Sequence, residues 1–156
     1  MHEDDTANPV CLKDRADFKP TNPKDICGVK KVPFSTIPMT VMAEVGLAML
    51  EGARKYGRHN FRDEGVVASV YIDATFRHLA QWWEGEDVDR DSGLSHITKA
   101  IASLVVLRDT MINDRYRDDR PPKSPEEWMG GANQQAESIV TRYMVSKTPH
   151  TQCPID

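Results

Sequence analysis

Glu84, Glu86, Asp87, Asp89 and Asp91 place five carboxylates within residues 84–91 of the stretch "WEGEDVDRDSGLSH", which ends in His96. Carboxylates this dense repel one another unless positive charge offsets them. Hard divalent cations such as Mg2+ or Mn2+ suit that role, because they take oxygen ligands and keep waters or phosphate oxygens in their remaining positions. Glu86 and Asp89 stand at i, i+3 and share a face if the preceding helix persists through them. The plainer alternative is a solvated loop whose acids favour the N-terminus of the next helix. A calcium-hand loop fails at both diagnostic points. Asp87, Asp89 and Asp91 imitate its opening, but Ser92 stands where glycine is needed and Thr98 where the bidentate glutamate belongs.

Other chemistry-bearing residues gather around this segment. "EGARKYGRHN" brings Glu51, Lys55, Tyr56, Arg58 and Asn60 together, Arg77 and His78 precede the acidic stretch, and His96 and Lys99 follow it. Cations beside an acidic centre are what a nucleoside triphosphate requires, since metal and side chains must share its charge. Singly, each residue has an ordinary role: Lys55 can pair with Glu51 and Arg77 with Asp73 at i, i+4, His78 can pack on Trp82, and Tyr56 and Trp82 can be packing residues. A histidine–aspartate phosphohydrolase is disfavoured, because no His-Asp dipeptide occurs.

The elements that must position these groups are helical. Val41, Met42, Val45, Ala48, Met49, Gly52 and Ala53 recur every three or four residues and predict a helix from Thr40 to about Tyr56, stopped by Gly57. Val67, Val70, Ala74, Leu79 and Trp82 predict a second from about Val66 to Trp83. A third is expected from about Gly93 to Ile112, capped by Ser92, with Leu94, Ile97, Ile101, Leu104, Val105 and Arg108 as its inner rows. No stretch shows strand alternation. "ANQQAESIVTRYM" predicts a short amphipathic helix with too little apolar surface to stand alone, so it must dock on the body or on another subunit. The fold expected is all-α: a bundle of three core helices plus a C-terminal docking helix. The domain limits expected are a flexible segment at 1–21, a catalytic helical domain at 22–116, a charged proline-rich linker at 117–131, the C-terminal helix at 132–145 and a tail at 146–156.

The totals bound the function. One domain fits 156 residues, and a net charge of −4 lacks the basic balance of a general nucleic-acid binder, so a small ligand is favoured over a nucleic-acid polymer. Cys11, Cys27 and Cys153 are odd in number and far apart, which fits a reducing cytosol. The acidic N-terminus is unlike a signal peptide, and no apolar run approaches the ~20 residues that span a bilayer. A soluble cytoplasmic protein is expected.

Three ordered motifs, "NPKD…G…KK.P", "EGARKYGRHNFR" and "RHLAQWWEGEDVDRDSGLSH", resemble the phage dATP/dGTP diphosphohydrolase (MazZ-like) family over roughly Asn22 to Leu107. That family is related to the all-α nucleotide pyrophosphohydrolases (MazG-like), helical bundles that are often dimers or tetramers. The resemblance implies hydrolysis of dGTP or dATP to monophosphate and pyrophosphate with Mg2+ or Mn2+, in a homo-oligomer in the host cytoplasm. The implied purpose is dGMP supply for a modified base such as 2-aminoadenine. It also implies that Glu51, Glu86, Asp89, Asp91 and His96 lie at or around the metals, with Glu51 or Glu86 orienting or deprotonating the water. Lys24, Lys31, Lys55 and Arg77 are then the phosphate contacts, while Asn60, Trp82 and the 22–38 loop are candidates for reading the base. The related E-x-x-E and E-x-x-D pairing does not appear cleanly, since its nearest echo in the third helix is His96 and Lys99. The competing expectation is a non-catalytic interaction module whose acidic loop binds a partner or a metal.

Overall fold

The structure, a computed structural model, describes residues 23–28 and 30–152. The expected flexible segment at 1–21, Asn22, Cys11 and Cys153 lie outside the described residues. The fold is all-α. A short helix α1 (Pro23–Gly28) and a single 3-10 turn (Phe34–Thr36) lead into α2 (Met39–Tyr56). A one-turn α3 (Asn60–Asp63) and a two-residue strand β1 (Val66–Val67) follow, then α4 (Ala68–Trp83), α5 (His96–Ile112), β2 (Tyr116–Arg117) and α6 (Trp128–Arg142).

Helices α4 and α5 form the most extensive packed pair, with α2 laid across α5. The core where α2 meets α5 is Val45, Ala48 and Ala102, with Met49, Leu94 and Ile101 packed around it. The strands β1 and β2 pair in parallel, Val66 opposite Tyr116 and Val67 opposite Arg117, and tie the start of α4 to the exit of α5. They are too short for alternation to show in the sequence. Gly65 enters β1 at φ 79°, where an added Cβ would stand 2.8 Å from the Arg115 carbonyl oxygen, so only glycine fits. Helix α4 has no local side-chain cap; instead Asp119 accepts from the Ser69 amide at 2.9 Å and from its hydroxyl at 2.5 Å.

The inner face of α5 differs from expectation. It is built of His96, Thr98, Ala100, Ala102, Val106, Leu107 and Thr110, whereas Leu104, Val105 and Arg108 are exposed. Close packing against both α2 and α4 selects small side chains for the inside. The larger apolar row, which looks inner by hydrophobicity alone, is left on the outside. Helix α5 also starts later than expected. Ser95, not Ser92, is its cap and accepts from the Ile97 amide. Helix α6 begins at Trp128 rather than Ala132, and none of its residues is buried against the body.

Candidate functional site

The acidic stretch is a folded turn. Helix α4 ends at Trp83, with Glu84 as C-cap and Gly85 at φ 95°, so Glu86 and Asp89 are not helical neighbours as the spacing suggested. The turn closes on itself instead: Asp89 N donates to Leu94 O at 2.9 Å, Gly93 N to Asp89 O at 2.7 Å and His96 N to Asp87 O at 3.0 Å. An antiparallel bridge between Val88 and Ser95 completes it, and frees Ser92 to donate to Asp89 rather than cap α5. The turn sorts its acids by direction. The Asp89 side chain is 19% exposed and faces Lys99, whereas that of Asp91 is 78% exposed.

Two lysines join this turn to α2. Lys55 Nζ lies 2.6 Å from Glu51 Oε1 and 3.0 Å from Asp91 Oδ2. Lys99 Nζ lies 2.6 Å from Glu51 Oε2 and 3.2 Å from Asp89 Oδ2. Glu51 is thus held between two ammonium groups. Its carboxyl is lowered below the usual range by the hydrogen bond from Lys55, then by that from Lys99, with burial opposing. Burial also pushes Asp89 upward, but the Ser92 hydroxyl, the Asp91 amide and Lys99 outweigh it and hold Asp89 at about 2. The hydrogen bond to Glu51, then that to Asp91, raises Lys55. At neutral pH all three groups are charged.

A second group lies beside the first. His96 is fully buried, and its Nδ1 stands 2.9 Å from Nδ1 of His78, so one ring donates and the other accepts. Burial and then the neighbouring His96 lower His78, which keeps it neutral near pH 7. His96 Nε2 has no hydrogen-bond partner; Glu86 Oε2 lies 3.9 Å from it. Glu86 is held by Arg90 at 2.8 Å and by Gln81 at 3.3 Å.

Above Glu51, Lys55 and Lys99 opens a cavity of about 530 Å3, walled by α2, α5, Tyr71 of α4 and the turn 57–61. Gly57 at φ 92° and His59 at φ 62° fold that turn back, which brings Tyr56, Arg58, Asn60 and Phe61 to the rim. Of the residues singled out in the sequence, Glu51, Lys55, Tyr56, Arg58, Asn60 and Lys99 line this cavity. Asp89 and Asp91 join it through the lysines, while Glu86, His78 and His96 form the adjoining group. Lys24, Lys31, Arg77 and Trp82 are exposed and outside the lining. Trp82 packs near Trp83 with ring centroids 6.3 Å apart. Tyr71 and Ser103 also line the cavity, although neither was expected at the site, and Glu44, on the same helix stripe as Glu51 and Lys55, accepts from Thr98 at 2.7 Å. Glu44 precedes Glu51 by two helical turns, a spacing legible in the sequence.

Among the described residues no group of three or more acids, histidines or cysteines forms a ready-made metal cage, and lysine ammoniums stand between the carboxylates. The donor set still suits Mg2+ or Mn2+. Such ions need only one or two carboxylates when phosphate oxygens and water fill the other positions. Glu51 and Asp89 are ionised and joined through one ammonium, and buried His96 carries an unpartnered nitrogen near Glu86.

The family model described as dATP/dGTP diphosphohydrolase, N-terminal, matches residues 21–120. A curated protein of Salmonella phage PMBT28, named dATP/dGTP diphosphohydrolase, is 31% identical over 90 residues. The match takes in 58% of this chain but spans only 30% of the relative's length. No solved structure matches the chain at a significant level.

Proposed function

Because the chain belongs to the dATP/dGTP diphosphohydrolase N-terminal family, we propose that it hydrolyses dATP and dGTP to their monophosphates and pyrophosphate. The observation that carries this reading is Glu51, a carboxylate held between two lysines at the mouth of a nucleotide-sized cavity. In the phage setting the product dGMP would supply a modified base such as 2-aminoadenine. No helix among the described residues is long and apolar enough to cross a membrane.

Lys55 and Lys99 have two successive partners in this mechanism. Without substrate they neutralise Glu51, Asp89 and Asp91. An arriving triphosphate competes for the same ammonium groups with more charge than one carboxylate offers. As the lysines turn to the phosphates, Glu51 loses the hydrogen bonds that lower its pKa and becomes a better base. It then takes a proton from a water that attacks the α-phosphorus. The new P–O bond forms as the α–β anhydride bond breaks, and pyrophosphate departs with its charge held by the lysines. Mg2+ or Mn2+ at Glu51, Asp89, Asp91, Glu86 or His96 would neutralise phosphate charge and acidify a bound water.

The working form is a homo-oligomer. Leu104, Val105 and Ile112 leave an apolar row exposed on α5, and Ile139, Val140, Tyr143 and Met144 are exposed at the C-terminal end of the chain. A body this size gains from covering such a row, at about 1.5–3 kcal/mol for each large apolar side chain buried.

The test is turnover of the eight common ribo- and deoxynucleoside triphosphates with Mg2+, with Mn2+ and with chelator. Metal-dependent monophosphate and pyrophosphate from dATP or dGTP, lost in Glu51→Gln, is the expected result. No turnover with either metal would sink the enzyme reading and leave the acidic turn as a partner-binding element.

A further inference from the structure

The cavity has unlike parts. Glu51, Lys55 and Lys99 make one wall ionic, Met49, Ala53, Phe61, Ala102 and Val106 supply an apolar stretch, and Arg58, His59 and Asn60 make the rim polar. Lys99, Ser103 and Val106 lie on successive turns of α5, so the lining runs about 10 Å along that helix. Gly46 and Gly52 also line the cavity, and a Cβ added at either would meet nothing within 4 Å. That length and polarity suit a flat heterocycle at one end and phosphates at the other.

Beyond the polar rim of Tyr56, Arg58, His59 and Asn60, one polar lining residue comes from α4. Tyr71 is half-buried on α4 and lines the cavity. Helices α4 and α5 run antiparallel past the His78–His96 contact, so Tyr71, two turns before His78, faces Ser103, two turns after His96. The Ser103 hydroxyl is satisfied by the Lys99 carbonyl at 3.1 Å, whereas the Tyr71 hydroxyl has no hydrogen-bond partner among the described residues. Burial, and then the nearby Tyr56, raise the Tyr71 phenol, which therefore stays neutral and able to donate. Its oxygen is open to solvent in the cavity and so is free to exchange water for a ligand group.

We propose that Tyr71 is a specificity-determining residue whose hydroxyl hydrogen-bonds the edge of a purine base seated in the apolar part of the cavity. A phenol suits two purines at once. Its rotating O–H donates to a ring nitrogen or to a guanine carbonyl, and its oxygen accepts from an adenine amino group. A pyrimidine of smaller reach leaves the same hydroxyl unpaired, which is where discrimination arises.

This inference rests on the nucleotide reading of the site, and Tyr71→Phe separates the two. The variant removes only an unpartnered hydroxyl, so its thermal midpoint should match or exceed that of wild type. Against dATP and dGTP its kcat/KM should fall tenfold or more, mainly through KM, while that for dCTP and dTTP changes less than threefold. Wild-type turnover with a purine-to-pyrimidine ratio in Tyr71→Phe within twofold of wild type would overturn the role of Tyr71 alone. If wild type turns over no triphosphate, calorimetric binding of dGTP decides: a tenfold weaker Kd in Tyr71→Phe keeps Tyr71 as the purine reader without the reaction. Absence of wild-type binding, or an unchanged Kd, overturns it.

Discussion

Lys99 Nζ lies 2.6 Å from Glu51 Oε2, although the two residues are 48 positions apart in the chain. The same ammonium is 3.2 Å from Asp89, so one charge fastens α2, α5 and the acidic turn together. Replacing it leaves Glu51 and Asp89 as facing carboxylates with one cation fewer. Lys99→Met should lower the thermal midpoint by a few degrees and cut kcat/KM roughly 100-fold, since one of the two phosphate-facing cations is lost. A variant with unchanged kinetics would show that Lys99 is only a structural tie.

The exchange of partners by the lysines predicts a signature in pH profiles. In the free protein Glu51 is lowered by Lys55 and Lys99, so the acid limb of kcat/KM should fall below the usual glutamate value of 4.5. In the complex those lysines hold phosphate and Glu51 rises. The acid limb of kcat should therefore lie at higher pH than that of kcat/KM. Coincident limbs, or the reverse order, would contradict the exchange.

Asp119 reaches Ser69 across 50 residues of sequence and caps α4. Its carboxyl is lowered by the Ser69 hydroxyl and then by the Ser69 amide, so the folded value lies below 3.8. The folded state thus holds its proton less tightly than the unfolded chain does, and the stabilisation is full above that value and lost as pH falls through the folded one. Asp119→Asn should lower the thermal midpoint at pH 7, and the gap to wild type should close as the pH drops below about 3.8. A gap constant with pH would show that the charge plays no part in the cap.

The exposed row on α5 predicts the assembly. Leu104→Asp places a charge in the middle of that row and should shift the protein from oligomer to monomer in light scattering coupled to size exclusion. A wild type that is monomeric at working concentration would remove the basis for this expectation.

Local features of the fold were legible in the sequence, and contacts set by crossing helices were not. The periodicity of Val45, Ala48 and Met49 located α2 to within a residue, and the i, i+4 spacing of Glu51 and Lys55 anticipated their ion pair. The row Leu104, Val105 and Arg108 misled, because hydrophobicity does not tell a face that packs internally from one left for another surface. The inner face uses Ala100, Ala102 and Thr110 instead, as close helix approach demands. Ser92 and Ser95 offer equal capping chemistry, and only the bridge from Val88 to Ser95 decides between them. Tyr71 shares a helix stripe with His78 and Trp82, but nothing local marks it as a cavity residue. It reaches the cavity because α4 and α2 both pack on α5.

The most direct test of the central claim is hydrolysis of dGTP in water enriched in oxygen-18, followed by mass analysis of both products. Attack at the α-phosphorus, with Glu51 as base, predicts one labelled oxygen in dGMP and none in pyrophosphate. Label in pyrophosphate, or release of inorganic phosphate in its place, would place the attack at another phosphorus and contradict the mechanism.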